Sequence, residues 1–418
     1  MDVSIYRLRL QDLLGLCVLS LLLLGVLMVE SASTAVAGEG GMWGFTTRGW
    51  KHLITAVLGA CVFLLLAHVD YRRLFRSGTR WWTSPLLWLY ALAVTLCAAT
   101  LIPGVGTAVK GARRWLDVGP FQLQPSEVAK WTVVLLTVYL VTRVPAVRER
   151  FAGFLLACAL IAVPCVLVVL QDFGTAALIG AVAMLILVAG GVKWWYPLVL
   201  LPPMVLAAVV AVAAKPYRLR RVTSFLSPMD DPQGEGYHMV QSLLSFSSGG
   251  VFGKGLGNGV QKLGYLPEVE NDFIFALICE ELGLFGALLV MVLFLGIAWV
   301  GWQLIRDAGT GRGDDVAELS RDDAASVAGV LAFGVVMMVC AQAWINMAVA
   351  TVSVPTKGLP LPLVSAGGTG LVMTAAALGV LASAVRQRER ATAARSDAVE
   401  AAGGSEAVGG AAEAARQV

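Results

Sequence analysis

Uncharged apolar runs recur along almost the whole chain, each about the roughly 17–25 residues a helix needs to cross a bilayer core. About ten can be placed, near 12–31, 52–69, 84–102, 126–144, 152–170, 174–192, 195–214, 273–302, 325–350 and 369–385. No soluble domain of 418 residues needs a composition 58% hydrophobic and only 14% charged. The expected fold is an all-α polytopic membrane protein of about ten transmembrane helices. A large extracytoplasmic loop lies between helices seven and eight. The fifth and sixth runs are divided only by Gln171-Asp172-Phe173-Gly174, and Pro202-Pro203 breaks the seventh. The transmembrane domain is expected over 1–386. Residues 387–418 are expected as a cytoplasmic tail, disordered because Ala, Gly, Glu and Ser dominate beyond Arg395.

Loop charge sets the orientation. With the N-terminus inside, the inner segments carry Arg72, Arg73, Arg76 and Arg80, then Arg143, Arg148 and Arg150, then Lys193, then Arg306, Arg312 and Arg321, and finally Arg386, Arg388 and Arg390. Short arginine-rich inner loops obey the positive-inside rule, so both termini are expected in the cytoplasm. Arg7 and Arg9 before the first run, and small residues after it, would allow cleavage after Ala37. The run is longer than most signal-peptide cores, so a retained helix is expected. All seven cysteines fall inside apolar runs and read as small buried hydrophobes. His52, His68 and His238 form no zinc motif.

The outer segments are basic where orientation does not require it. They carry Lys110, Arg113 and Arg114, then Lys215, Arg218, Arg220, Arg221, Lys254 and Lys262, and Lys357 in the last loop. Long loops translocate regardless of charge, so plain solvation explains Lys215 to Arg221 equally well. It explains Arg114 and Lys357 less well, since both lie beside spans among Trp, Pro and Gly. Basic groups gathered on one face suggest an anionic ligand there.

Gly253 to Gly286 is the most informative stretch. A glycine-rich basic loop runs into Pro267-Glu268-Val269-Glu270-Asn271-Asp272, which opens directly onto an apolar run holding Glu280 and Glu281. Asp272 is placed to cap that helix. Glu268 and Glu270 beside it favour a second reading, a general base or a cation ligand, because neighbouring carboxylates hold protons more tightly. The Gly253–Gly259 loop lacks the order of a P-loop. Ser126 is placed to cap the fourth span. Glu127 and Lys130 share one helix face, as a local ion pair or, for Lys130 with Arg114, as a phosphate clamp. Pro355-Thr356-Lys357-Gly358-Leu359-Pro360-Leu361-Pro362 leads to Ser365-Ala366-Gly367-Gly368, a rigid re-entrant kind of loop. Gln342, Trp344 and Asn346 read as contacts between helices.

Chemistry outside the cell must run on an already activated substrate, and a lipid diphosphate sugar fits. A proton-coupled transporter using Glu280 and Glu281 fits nearly as well. Nothing points to nucleic acid or a redox cofactor.

From about Asp12 through Arg386 the chain resembles the SEDS family (shape, elongation, division and sporulation proteins). The resemblance rests on Arg114-Trp115 with GPFQLQPSEVAK, on the stretch from Gln241 (QSLLSFSSGG) through GLGNGVQKLGYLPEVENDFIFALICEELG, and on PTKGLPLPLVSAGG. Lys357 and the GLGNGVQKLGYLPE wording look like the division branch. The resemblance implies a peptidoglycan glycosyltransferase that polymerises lipid II, the undecaprenyl-diphosphate-linked disaccharide pentapeptide. It would work on the outer face of the cytoplasmic membrane, at the septum, with a class B penicillin-binding protein and other division proteins. It implies Asp272 as the catalytic base, and Arg114, Glu127, Lys130, Gln241, Glu268, Lys357, Ser365, Gly367 and Gly368 as substrate-binding residues. No cofactor is certain. A divalent cation, Mg or Mn, at the diphosphate is compatible. The competing classes are a lipid II flippase and a scaffold of the division machinery. Three departures stand out. Glu270-Asn271 replaces His-Thr, putting another carboxylate beside Asp272. Ser365-Ala366-Gly367-Gly368 lacks a tyrosine, and Gln171-Asp172-Phe173-Gly174-Thr175 lacks a proline.

Overall fold

The computed structural model describes residues 9–37, 46–75, 84–109, 112–119, 121–214, 216–234, 236–309 and 319–414. Arg7, Arg76, Arg80, Lys110, Lys215 and Arg312 lie outside the described residues.

Among the described residues thirteen α-helices are formed: α1 Leu10–Ala37, α2 Thr47–His68, α3 Pro85–Ala99, α4 Pro125–Arg143, α5 Pro145–Glu149, α6 Phe151–Val169, α7 Phe173–Ala189, α8 Trp195–Ala213, α9 Pro216–Leu226, α10 Tyr237–Gly249, α11 Ile274–Gly309, α12 Leu319–Ala350 and α13 Gly368–Ala414. Each expected apolar run coincides with one of them. Seven are long and apolar enough to cross a membrane, namely α1, α2, α6, α8, α11, α12 and α13. α3 and α7 are shorter apolar helices. α4 has 19 residues and carries Glu127, Lys130, Thr132 and Thr137 among its buried positions. That polarity belongs to the bundle interior, where α4 packs against α7, α12 and α13.

Several expectations are corrected. α8 runs unbroken through Pro202 and Pro203. Proline is tolerated in apolar helices when the freed backbone groups are satisfied locally. α13 does not stop near Arg386 but continues as helical backbone to Ala414, and residues 415–418 of the expected tail lie outside the described residues. Alanine, glutamate and arginine all favour the helix. The loop after α3 contains a small antiparallel sheet, β1 Gly106–Val109, β2 Ala112–Val118 and β3 Phe121–Leu123, in that order. In register, Leu116 pairs with Leu123 and Thr107 with Trp115. Such short strands, with charges among them, leave no mark in a search for 20-residue apolar runs.

α1 packs on α2, α11 and α13, and α2 packs along α13. The seven cysteines are all free, and Cys17, Cys97 and Cys279 are buried. The two ends of the bundle differ. At one, Gln387 Nε2 donates to Asp70 Oδ1 at 2.7 Å and Arg386 donates to the His68 carbonyl at 3.0 Å. At the other, the β-sheet, α10 and the segment 351–367 gather. Thr369 joins them, because its hydroxyl donates to the Gln122 carbonyl at 2.9 Å and accepts from Gln124 N–H.

Candidate active site

The acidic segment before α11 is shaped by a tight turn. Glu268 adopts φ 57, a left-handed conformation costly for a residue with a side chain. Its carbonyl accepts from Asn271 N–H at 3.0 Å and Asp272 N–H at 3.1 Å. Strained residues of this kind collect at functional sites. Glu268 Oε2 also accepts from Asn271 Nδ2 at 2.8 Å. α11 begins at Ile274, and the Phe273 carbonyl accepts from Ala276 N–H at 3.0 Å. Phe273 therefore occupies the cap, and Asp272 sits one residue further out. The expected capping role of Asp272 is thus corrected.

The segment 355–366 holds this turn in place. Asn346 Nδ2, on α12, donates to the Asp272 carbonyl at 2.9 Å and to the Leu359 carbonyl at 2.8 Å. The Ser365 hydroxyl donates to the Asn271 carbonyl and accepts from Leu361 N–H, each at 2.7 Å. Ala366 N–H donates to the Glu270 carbonyl at 2.9 Å. Ser365 is buried, so it braces the site from within instead of facing a ligand. On the other flank the His238 ring stacks on Phe273 at 5.9 Å. Gln241 follows one turn later on α10, half-buried.

Two glycines place Asp272 and Lys357. A Cβ placed on Gly358 would lie 3.4 Å from Asp272 Oδ2, and one on Gly174 would lie 3.5 Å from the Lys357 stem. The Asp272 carboxylate thus lies over the Lys357–Gly358 segment, and Lys357 crosses the start of α7. There Asp172 caps α7, accepting from Thr175 N–H at 3.1 Å. Its other oxygen faces Arg114 at 3.6 Å, and Arg114 Nε donates to the Gln171 carbonyl at 3.0 Å. Arg114, Asp172, Lys357 and Asp272 therefore follow one another along one end of the bundle. Lys357 is half-buried and has no ion-pair partner among the described residues. Gly367 and Gly368 open α13, and nothing lies within 4 Å of a Cβ built on Gly368.

Glu127 and Lys130 do not join this surface. Pro125 takes the first helical position and Gln124 the cap, so Ser126 is not the cap expected of it. Proline suits that position because its fixed φ is already helical. Lys130 Nζ and Glu127 Oε2 lie 2.6 Å apart, with side chains 1% and 5% exposed. The pair is close without an aligned hydrogen bond at Glu127 Oε2. Lys130 Nζ donates instead to Gln342 Oε1 at 2.8 Å, and Gln342 Nε2 donates to the Pro360 carbonyl at 2.8 Å. Lys130 cannot clamp a phosphate directly. It acts on the Lys357 loop through Gln342, a residue read from sequence only as a contact between helices.

Glu270, expected to crowd Asp272 with negative charge, is paired with Arg48 at 2.6 Å. Nothing in the sequence links Arg48 to Glu270, which are 222 residues apart. Glu280 and Glu281 are fully buried, and each faces a lysine, Lys254 and Lys262 respectively, at 2.8 Å. Among the described residues no three His, Cys, Asp or Glu side chains converge to hold a metal. Asp172 and Glu270 are committed to arginines.

The FtsW/RodA/SpoVE model, described as cell cycle protein, matches residues 11–390. A protein of Thioalkalivibrio sulfidiphilus named "Probable peptidoglycan glycosyltransferase FtsW" is 39% identical over 373 residues, 88% of this chain and 87% of that protein. One of the same name from Halorhodospira halophila is 40% identical over 367 residues, 86% of each. A chain from a peptidoglycan synthase complex coordinating polymerization and crosslinking superposes with TM-score 0.61 at 26% identity, covering 87% of this chain and 97% of that one. The rod shape determining protein RodA of Thermus thermophilus shares the fold, with TM-score 0.59 at 23% identity over 90% of this chain and 96% of that one. The chain belongs to the SEDS family, the cell cycle proteins of the FtsW, RodA and SpoVE kind.

Proposed function

We propose that this protein is a peptidoglycan glycosyltransferase that polymerises lipid II into glycan strands on the outer face of the cytoplasmic membrane during septal division. The reading rests on one observation above all. A half-buried carboxylate, Asp272, lies against Gly358, the residue after Lys357, and the Arg114–Asp172 pair stands next along the same end. The names of the relatives support the same chemistry.

In this reading Asp272 removes the proton from the acceptor sugar hydroxyl. The freed oxygen attacks the anomeric carbon of the donor sugar. The bond from that carbon to the lipid diphosphate breaks, and the diphosphate leaves with the bonding electrons. Lys357 is placed to balance the leaving group's charge as a point cation. Arg114 presents its guanidinium from a fixed position, since its Nε is held by the Gln171 carbonyl. Glu268, Ser365 and Asn346 keep Asp272 oriented. A class B penicillin-binding protein supplies the transpeptidase, with other division membrane proteins around it. The arginine-rich loops support cytoplasmic termini. A divalent cation at the diphosphate would add charge neutralisation and belongs to the substrate complex.

The test is a glycan-chain assay on the detergent-purified complex with lipid II, comparing wild type and Asp272→Asn. Polymer from wild type and none from the variant is expected. If the purified complex makes no polymer, yet the protein moves lipid II across liposomes and Asp272→Asn stops that movement, the flippase reading takes its place.

A further inference from the structure

α11 is not one helix. Gly283 has φ 64 and ψ −154, so the helix breaks there into a short piece, residues 274–282, and a long one. The short piece is about 13 Å long. Asp272 stands at its head, and Glu280 and Glu281 at its foot.

The loop after α10 wraps this break and satisfies it. Lys254 N–H donates to the Glu280 carbonyl at 3.0 Å and Gly255 N–H to the Glu281 carbonyl at 2.9 Å. Leu284 N–H, at the start of the long piece, donates to the Gly250 carbonyl at 3.1 Å. The backbone groups freed by the break are therefore capped by one loop, as buried irregular backbone requires. The approach is so close that a Cβ on Gly283 would run into Gly253 N and the Val251 carbonyl.

The two carboxylates finish the enclosure. Glu280 Oε1 accepts from Lys254 Nζ at 2.8 Å and Val260 N–H at 2.9 Å, and Glu280 Oε2 from Gln261 N–H at 3.2 Å. Glu281 accepts from Lys262 Nζ at 2.8 Å, Gly257 N–H at 3.0 Å and Gly259 N–H at 3.2 Å. The Ser31 hydroxyl of α1 lies 2.7 Å from Glu281 Oε1 and also accepts from Lys262 Nζ at 2.8 Å. Both glutamates are 0% exposed, and both oxygens of each are occupied by donors. The four carboxylate oxygens are thus engaged with the fold itself.

We propose that Glu280 and Glu281, clamped by Lys254, Lys262 and Ser31, are positioning residues that set where Asp272 stands. The inference rests on Asp272 being the catalytic base. Asp272 is reached from this clamp along two routes. One is the short helix itself, for which a tilt of about 5° at the break moves the head by about 1 Å. The other is the chain from Lys262 to Asp272, pinned early by Leu266 N–H donating to the Gln261 carbonyl at 2.9 Å. A misplacement of about 1 Å can cost on the order of a hundredfold in rate.

The experiment measures kcat and KM for lipid II polymerisation, with melting temperature, in the purified complex. The variants are Lys262→Met, Lys254→Met, Glu281→Gln and the double variant Lys262→Met/Glu281→Gln, with Asp272→Asn as reference. Each single variant is expected to lower kcat by roughly tenfold to a hundredfold with KM within about twofold. The double variant is expected to recover part of the loss of Lys262→Met, because no charge is left buried alone. Lys254 is partly exposed, so Lys254→Met carries the test if the Lys262 variants do not fold. Unchanged kcat, a rise in KM alone, or a fall in kcat that only follows the loss of folded protein would overturn the proposal. Polymer formation by Asp272→Asn would instead remove the catalytic reading on which it rests.

Discussion

Lys130 Nζ sits 2.6 Å from Glu127 Oε2 inside the bundle, and its hydrogen-bond partner, Gln342, hands the connection on to the Pro360 carbonyl. A charged pair on one turn of α4 thus braces the loop that carries Lys357.

Lys130→Met should be strongly destabilising, by roughly 3–5 kcal/mol, because it leaves Glu127 buried without its counter-charge. Lys130→Met with Glu127→Gln should recover much of that loss. Thermal melting of the purified proteins checks both. If the double variant melts no higher than the single one, the buried pair is not what holds this region.

Asp272→Asn should fold like wild type, since the amide is isosteric with the carboxylate and the Asp272 carbonyl still meets Asn346. Polymerisation should nevertheless fall to background. Near-normal glycan synthesis by this variant would leave Asp272 without a catalytic role.

Lys357→Ala should raise KM for lipid II by about tenfold, the loss of one charge-assisted contact to the diphosphate. Arg114→Lys should not restore wild-type use of substrate. A single ammonium cannot both face Asp172 and reproduce the fixed Nε contact to the Gln171 carbonyl. Steady-state kinetics of the two variants separates them from a diffuse surface field, which Arg114→Lys would preserve.

Arg48→Ala should cost little, about 0.2–1 kcal/mol, because the Arg48 side chain is 60% exposed. The difference from wild type should shrink in high salt. Melting curves at two ionic strengths measure it. A large, salt-independent loss would show that Glu270 is far more dependent on Arg48 than its exposure implies.

A cysteine at Gly234, in the loop between α9 and α10, should be labelled from outside intact cells. A reporter at Arg312 should be cytoplasmic, by the arginine asymmetry of the short loops. Labelling at 234 only after permeabilisation would invert the molecule and move the Asp272 end to the wrong side of the membrane.

The apolar runs alone marked α1–α4, α6–α8 and α11–α13, because a helix in a membrane must satisfy its backbone within itself, whereas the short or more polar α5, α9 and α10 left no such mark. The acidic turn before α11, the Lys357 loop and Arg114 were equally legible, since charges and glycines beside spans are rare. What these residues do to one another was not legible. Arg48 with Glu270, Asn346 with Asp272 and Ser31 with Glu281 lie 222, 74 and 250 positions apart, and only packing brings them together. The sequence placed Lys130 with the phosphate clamp and left Glu280 free to carry protons. Packing gave the Lys130 ammonium to Glu127 and Gln342, and enclosed the Glu280 carboxylate in backbone N–H groups of a glycine loop. Local pattern marks where a charge is costly, and only the tertiary structure decides which partner offsets that cost and therefore which charges remain for substrate.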